Sequence, residues 1–161
     1  EKLKKIYSST KIFFCNKEEA QRILPACRHA WKNEEGETRQ NESLGLVKKL
    51  LTGIRELGPK TVVITDGPAG AYAYDGEKFL SIPIYPDIAP PYERTGAGDA
   101  YASTVVAALA LGKPLEEALL WGPINSMFVV QKVGATEGLL HREELEKLLL
   151  SAPAVYKTKE I

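Results

Sequence analysis

Two short apolar segments with a helical pattern between them constrain the fold of this chain more than any other feature. The segments KIFFC (11–15) and KTVVITDG (60–67) have the length and β-prone composition of buried strands. Between them, apolar residues recur at the spacing of one helix face: Leu44, Val47, Leu50, Leu51 and Ile54. Because parallel neighbouring strands need a long crossover, this order is typical of a βαβ unit. The pattern therefore predicts an α/β fold.

Capping and breaking residues divide the first part of the chain. Asn16 is a suitable N-cap for a helix over NKEEAQRIL, and Glu18 and Glu19 fall in its first turn, where carboxylates favour the helix dipole. Pro25 is expected to end this helix. The polar segment 28–43 predicts a loop or a solvated insertion ahead of the next helix.

A hairpin and a run of helices are predicted for the second part. Asp75-Gly76 is a strong turn signal between two β-prone runs. The predicted elements are a hairpin over about 71–84 and helices over about 97–111, 115–130 and 142–149. The tail 152–161 is predicted to fray. Together these elements predict a single partial domain, 1–161, with three α/β/α layers and a thin sheet of three or four strands.

Composition excludes several classes of protein. Lys+Arg and Asp+Glu both number 21, so a globally basic surface for nucleic acid is not expected. No apolar run approaches the roughly 18 residues of a membrane span, and the charged N-terminus does not resemble a signal peptide. Two cysteines without a CxxC motif indicate reduced thiols in a cytoplasmic protein rather than a zinc site.

The segment Thr95-Gly96-Ala97-Gly98-Asp99 carries the clearest chemical signal. The start of a helix leaves about four N–H groups without partners, and small residues let an anion approach them closely. Asp99 in the first turn would repel that anion unless it has a task, and accepting a proton from an attacking hydroxyl is such a task. The alternative is a glycine-rich turn in which the carboxylate only favours the helix dipole. The segment is neither a P-loop nor a dinucleotide fingerprint.

The segment ERTGAGDAYASTVVAALALG closely resembles the C-terminal signature of the PfkB, or ribokinase-like, family of carbohydrate kinases. Three other segments resemble elements of that family in order and spacing. FFCNKEEA is similar to its Asn-x-x-Glu element, VVITDGPAGAYAY to its nucleotide strand, and INSMFVVQKVGA to its late helix ending in Gly-Ala. The resemblance covers about residues 11–149 and implies a ribokinase-like, Rossmann-like fold.

The resemblance implies ATP-dependent phosphoryl transfer to a hydroxyl of a sugar or nucleoside. Asp99 would be the catalytic base, and the amides of Gly96, Ala97 and Gly98 would form the anion hole. Asn16 and Glu19 would hold Mg²⁺ through water, with Glu19 as the metal-side carboxylate.

The same resemblance assigns further residues to the nucleotide. Thr65, Gly67 and Gly70 would border it, and Asn125 would line the adenine or ribose pocket unless its amide is satisfied in the core. Glu93 stands where the family usually has Asp, in the loop that holds a monovalent cation in some members. The longer side chain puts activation by K⁺ in doubt.

Family members are expected to be about twice as long, and the only methionine is Met127. The chain is therefore interpreted as the C-terminal half, with the N-terminal half of the same protein as its partner and little kinase activity alone. A homodimer of the full-length protein is a further expectation. The alternatives are a hydroxymethylpyrimidine-type vitamin kinase, a non-catalytic nucleotide-binding module, or an interaction protein with an open sheet edge.

Overall fold

The computed structural model describes the backbone of residues 2–24 and 38–161 and the side chains of 4–24 and 43–161. Six α-helices, five strands and one short 3₁₀ helix, Gly67–Ala69, are described in these ranges. In chain order the α-helices and strands are α1 Lys2–Ser8, β1 Ile12–Asn16, α2 Lys17–Ile23, α3 Thr38–Glu56, β2 Thr61–Thr65, β3 Ala71–Tyr74, β4 Phe79–Ile82, α4 Ala97–Ala110, α5 Leu115–Val129, α6 Arg142–Leu150 and β5 Lys159–Glu160. No helix in the described ranges is long and apolar enough to cross a lipid bilayer.

The strands form one mixed sheet in the order β1-β2-β3-β4-β5. β1 and β2 are parallel, with Ile12 opposite Thr61, and this confirms the predicted βαβ unit. β2 and β3 are antiparallel. β3 and β4 are neighbours joined by only four residues, a connection that permits an antiparallel hairpin but no parallel crossover.

The turn of this hairpin forms as the sequence predicts. Gly76 has φ +105°, a left-handed conformation that glycine adopts without a steric penalty. One carboxylate oxygen of Asp75 accepts hydrogen bonds from the N–H groups of Glu77 and Lys78, both at 2.8 Å. On β3, Tyr72 and Tyr74 share one face, while Ala71 and Ala73 are buried on the other.

The chain divides into two compact units. Unit one comprises Glu1–Asp66, Ala71–Leu80 and Glu160–Ile161, and unit two comprises Gly67–Gly70 and Ser81–Lys159. The core of unit one forms where the apolar stripe of α3 packs with the first strands. Its buried members include Val47, Leu50, Leu51, Ile54, Val62 and Ile64. The predicted helical stripe is thus the core face of α3.

Unit two is built around the pair α4 and α5, which pack side by side. Gly122 in α5 permits close contact, because a Cβ atom there would lie 3.0 Å from Tyr101 and from Val105 of α4. Trp121 is buried in the same helix, so its indole is part of the core. These helices place the segment before α4, which carries the clearest chemical signal, at the surface of unit two.

Two predictions about the fold were wrong in detail, and one helix was missed. α3 begins at Thr38, so the last part of the predicted loop 28–43 is helical, because polar helix formers extend a helix beyond the stripe that contacts the core. Pro25 and the rest of that loop lie outside the described residues. The sheet has five strands rather than three or four, since β5 adds a strand beside β4. α1 was not predicted.

The tail predicted to fray is instead packed. Tyr156 is buried, contacts Tyr85 edge to face with ring centroids 5.0 Å apart, and donates its hydroxyl to the carbonyl of Leu120. At the end of the chain, the N–H of Ile161 donates to the carbonyl of Phe79 at 3.0 Å. Side-chain burial and strand pairing hold the tail, and neither is visible in its local composition. The prediction of a single partial domain stays a prediction.

Candidate active site

The start of α4 is open to solvent and lacks a side-chain cap. Gly96 is its N-cap, with φ +82°, and no side chain accepts a hydrogen bond from the first turn. The N–H of Ala100 donates to the carbonyl of Gly96 at 2.8 Å, which begins the helical ladder. A Cβ atom on Gly98 would meet nothing within 4 Å. An anion can therefore approach this backbone closely.

The three amides predicted to form an anion hole are not equivalent. The N–H of Ala97 donates to the carbonyl of Arg94 at 3.3 Å, closing a turn ahead of the helix. Within the described residues, no acceptor is seen for the N–H groups of Gly96 and Gly98. These two amides are therefore the better donors for an incoming anion, and Ala97 would have to share its hydrogen.

Asp99 lies in the first turn of α4, as predicted, and its side chain is exposed. In the part of the chain that the structure describes, no hydrogen bond or ion pair to its carboxylate is recorded. The carboxylate is thus available to a group from solvent. Gly96, Ala97, Gly98 and Asp99 form one continuous surface because they are consecutive residues around the helix start.

A carboxylate ahead of α4 connects this turn to a second loop. Oε2 of Glu93 accepts a hydrogen bond from the N–H of Gly134 at 3.1 Å. A side-chain hydrogen bond from Thr95, together with that from Gly134, holds the pKa of Glu93 below its ordinary value. Glu93 is therefore ionised and engaged by protein donors at neutral pH. One oxygen of this carboxylate is thus engaged within unit two, at the loop that contains Gly134.

Asn125 is buried in α5, and both ends of its amide are used inside unit two. Its Nδ2 donates to Oγ1 of Thr104 at 2.8 Å, and its Oδ1 accepts from the N–H of Leu140 at 2.9 Å. Of the two interpretations that the sequence left open, the core-satisfied amide fits this geometry. Asn125 links α4, α5 and the segment that leads to α6.

In unit one, Asn16 and Glu19 form a reciprocal capping box at the start of α2. Oδ1 of Asn16 accepts from the N–H of Glu19 at 2.8 Å, and Oε2 of Glu19 accepts from the N–H of Asn16 at 2.9 Å. Both residues are exposed, so the remaining carboxylate oxygen faces solvent. Oxygen donors of this kind suit Mg²⁺ that keeps most of its water ligands.

Sequence reasoning missed an ion pair beside this capping box. Nζ of Lys17 lies 2.7 Å from Oδ2 of Asp66, and the two side chains are only 12% and 21% exposed. Lys17 follows the end of β1 and Asp66 follows the end of β2, the two parallel neighbours. Opposite charges immediately after two predicted parallel strands were the signal that could have revealed the pair, since such strand ends lie at one edge of a sheet.

The residues predicted to border the nucleotide have different local environments. Thr65 is the last residue of β2 in unit one and is partly exposed. In unit two, Gly67 has φ +52° and open space around it, whereas a Cβ atom on Gly70 would lie 2.2 Å from the carbonyl oxygen of Ile82. Gly70 is therefore required by packing, and Gly67 is the glycine whose backbone a ligand can approach.

The thiol of Cys15 is a poor nucleophile at neutral pH. It is buried at the end of β1, and burial, with a smaller contribution from the charge of Glu19, raises the pKa of its thiol to about 12. The reactive thiolate is therefore almost absent at neutral pH. Cys27, His29 and Trp31 lie outside the described residues.

Two curated relatives are similar to this chain over much of its length. The ribokinase of Bacillus subtilis is 37% identical over 93 residues, which are 58% of this chain and 31% of the relative. The cytidine kinase of Thermococcus kodakarensis is 34% identical over 135 residues, 82% of this chain and 41% of the relative. The chain thus spans less than half the length of these relatives.

Solved structures show the same fold. A ribokinase of Arabidopsis thaliana, complexed with ribose and ATP, has a TM-score of 0.74 and 24% identity, covering 91% of this chain and 43% of the other. An Escherichia coli structure described as ribokinase II, in complex with ATP and Mg²⁺, has a TM-score of 0.71 and 21% identity, covering 92% and 42%. The predicted α/β ribokinase-like fold is confirmed.

The family of this chain is identified by its match to a sequence profile. The sequence profile described as "pfkB family carbohydrate kinase" matches residues 1–142, which include both strands of the βαβ unit and the whole of α4 and α5. The resemblance found in four short segments therefore extends over most of the sequence. The chain belongs to the pfkB family of carbohydrate kinases.

Proposed function

We propose that the protein containing this chain transfers the γ-phosphoryl group of ATP to a hydroxyl of a sugar or nucleoside, and that the start of α4 carries the chemistry. The strongest support is that two backbone amides and a carboxylate lie together at the start of α4, and that none of them has a partner in the described part of the chain. The N–H groups of Gly96 and Gly98 lack acceptors, and Asp99 is exposed one residue further on. The first N–H groups of a helix are satisfied by capping side chains, by water or by a ligand, and the start of α4 has no capping side chain.

Each group has a separate role in the transfer. The acceptor hydroxyl attacks the γ-phosphorus as the bond to the β–γ bridging oxygen breaks, and its proton passes to the carboxylate of Asp99. The amides of Gly96 and Gly98 donate to the equatorial oxygens of the phosphoryl group, where negative charge is concentrated in the transition state. The products are ADP and the phosphate ester, and Asp99 then releases the proton to solvent.

Asn16 and Glu19 are proposed to bind Mg²⁺ through water. Their capping box fixes both side chains, and one oxygen of the Glu19 carboxylate remains exposed. When bound, the ion supplies charge neutralisation to the phosphates. Thr65 and Gly67 are proposed to border the nucleotide, because Gly67 exposes its backbone and cannot carry a side chain without strain.

The acceptor is proposed to be a small hydroxylated molecule, since relatives are named as kinases of ribose and of cytidine. A cytoplasmic location, which the cysteine content favours, and a homodimer, which the family resemblance implies, stay expectations. The expectation that the 161 residues alone have little kinase activity also stays a prediction. A coupled ADP-release assay of this chain with ribose and with cytidine would test it, and normal turnover would contradict it.

The test of the proposed function is Asp99→Asn in the protein as it is encoded, with Asp87→Asn as the matched control. Asp87 is another exposed carboxylate of unit two, and it lies in the segment before α4. We expect Asp99→Asn to lower kcat about 10²- to 10⁴-fold, the usual contribution of a general base, while Mg-ADP still raises the melting temperature. An unchanged kcat with retained nucleotide binding would show that Asp99 is not the base. Binding of Mg-ADP without measurable turnover in the unmodified protein would favour the non-catalytic nucleotide-binding module instead.

A further inference from the structure

An ion pair continues the pairing of β1 and β2 beyond the last residues of the two strands. The register places Asn16 opposite Thr65 as the last pair of the parallel ladder. Lys17 and Asp66 are the next residues on the two sides, and Nζ of Lys17 lies 2.7 Å from Oδ2 of Asp66. Side chains therefore join the two segments where the backbone ladder stops.

This pair is more shielded from solvent than any other ion pair recorded in the described part of the chain. Its side chains are 12% and 21% exposed, whereas those of Lys113 and Glu117, a pair of similar length, are 30% and 35% exposed. Because less water screens the charges, their attraction is stronger, and the loss of one partner leaves the other charge unpaired in a poorly solvated place. The contact is therefore costly to break.

Each member of the pair belongs to a segment that is proposed to meet the nucleotide or its metal ion. Lys17 is the first residue of α2 and lies between Asn16 and Glu19, which are proposed to bind Mg²⁺ through water. Asp66 directly follows Thr65, which is proposed to border the nucleotide. The ion pair thus joins the metal-side segment to the nucleotide-side segment.

The capping box of α2 does not make this connection by itself. Its hydrogen bonds join residues three positions apart, so they fix the side chains of Asn16 and Glu19 relative to α2 only. Beyond the ladder, the first turns of α2 are held by the burial of Ala20 and by the ion pair. Apolar burial is non-directional, whereas the ion pair sets the distance between particular atoms of Lys17 and Asp66.

From these contacts we infer that Lys17 and Asp66 are positioning residues, which hold the carboxylate of Glu19 in place relative to the end of β2 and so raise the affinity for the Mg²⁺ complex of the nucleotide. The inference rests on the proposed function of the capping box. Outer partners that orient the groups around a metal ion contribute to metal affinity. The ammonium of Lys17 acts through this contact, because its charge is already neutralised by Asp66.

The contribution of Mg²⁺ to nucleotide binding tests this role without a requirement for turnover. In the protein as it is encoded, the Kd of ADP is measured by isothermal titration calorimetry in saturating Mg²⁺ and in EDTA, and the ratio of the two values is the Mg²⁺ contribution. The variants are Lys17→Met, Asp66→Asn and the double variant with both substitutions. Lys113→Met is the matched control, because it breaks an ion pair of 2.9 Å that involves no proposed site residue. Urea denaturation without ligand is measured in parallel.

We expect the Mg²⁺ contribution to fall roughly 10-fold in each single variant, at the lower end of the effect of removing an outer partner of a metal site. The double variant should lose no more than either single variant, because the second substitution removes a connection that is already broken. Lys113→Met should keep the full contribution. Both Kd values come from the same folded protein, so a loss of stability alone leaves their ratio unchanged.

Three results would overturn the inference. The first is an unchanged ratio in both single variants. The second is a fall confined to one of them, because one residue would then act without the other, as a direct contact of Lys17 with phosphate would require. The third is a normal ratio in the double variant, which would show that the pair only neutralises charge.

Asn16→Ala in the same assay separates failure of this inference from failure of the proposed function. If Asn16→Ala also leaves the ratio unchanged, the proposed metal role of the capping box fails, and the inference fails with it. A ratio that falls with Asn16→Ala but stays normal with Lys17→Met and Asp66→Asn refutes only the positioning role of the ion pair.

Discussion

The starts of α2 and α4 differ in how the first backbone N–H groups of the helix are satisfied. At α2, Asn16 and Glu19 satisfy each other's backbone N–H groups, and Lys17 is neutralised by Asp66. At α4, the N-cap is a glycine, and the exposed carboxylate of the first turn has no recorded partner in the described chain. A capped helix start stabilises the fold, whereas an open one leaves donors available for a ligand.

An open start alone does not identify the site, because α5 also begins without a side-chain cap. There, however, Glu117 in the first turn pairs with Lys113 at 2.9 Å. The start of α4 differs in combining small residues, exposed amides and an unpartnered carboxylate with a turn that is anchored from outside by Glu93. The turn at the start of α4 is therefore both held in place by Glu93 and open to solvent at its amides.

After Asp99→Asn, the largest expected effect on this comparison comes from replacing Gly98, one of the two glycines that flank Ala97. Gly98→Ala should lower kcat roughly 10- to 100-fold, because the new methyl group occupies the open space through which the phosphoryl group approaches. Its stability should stay equal or rise by about 0.4–1 kcal/mol, since alanine suits a helix and reduces the freedom of the unfolded chain. Steady-state kinetics and urea denaturation measure the two effects.

Gly96→Ala is the matched control for that substitution. Its backbone has φ +82°, and the added Cβ would contact Ala135, so we expect the free energy of unfolding to fall by at least about 1–2 kcal/mol. Equal loss of stability in both variants would show that Gly98 is also structural. The distinction between a rigid N-cap and an open second position would then be wrong.

A smaller effect is expected at the start of α2, which is capped by Asn16. Asn16→Ala should lower the free energy of unfolding by about 1 kcal/mol, the usual value of an N-cap side chain. If Asn16 also helps to hold Mg²⁺, the concentration of Mg²⁺ needed for half-maximal kcat should rise. Asn16→Asp serves as the control, because aspartate also caps helices and binds Mg²⁺. A rise in the Mg²⁺ requirement with Asn16→Asp as large as with Asn16→Ala would contradict the metal role.

Local patterns in the sequence predicted most of the secondary structure. Short β-prone apolar runs located β1 and β2, the Asp75-Gly76 turn located the hairpin, and the apolar stripe located the core face of α3. Elements held mainly by distant contacts were missed. β5 and the packed tail depend on Tyr156 contacting Tyr85 and Leu120, and no spacing within the tail encodes those contacts.

In the candidate site, too, local features could be predicted and contacts between distant residues could not. The small residues and the carboxylate at 96–99 are contiguous, so their placement around the start of α4 could be predicted. The bond from Glu93 to Gly134 and the ion pair of Lys17 with Asp66 join residues 41 and 49 positions apart, and only the folded chain reveals them. The sequence left the role of Asn125 open, because an asparagine that is hydrogen-bonded in the core and one that binds a ligand cannot be told apart from sequence alone.

The most direct test of the central claim is to follow the backbone amides of α4 by NMR. The ¹⁵N-labelled protein, as it is encoded, is titrated with Mg-ADP and then with aluminium fluoride, which mimics the transferring phosphoryl group. The amide resonances of Gly96 and Gly98 should move downfield on the second addition, while those at the start of α5 stay in place. Unmoved resonances at Gly96 and Gly98, with shifts elsewhere that prove binding, would contradict the claim that these amides receive the phosphoryl group.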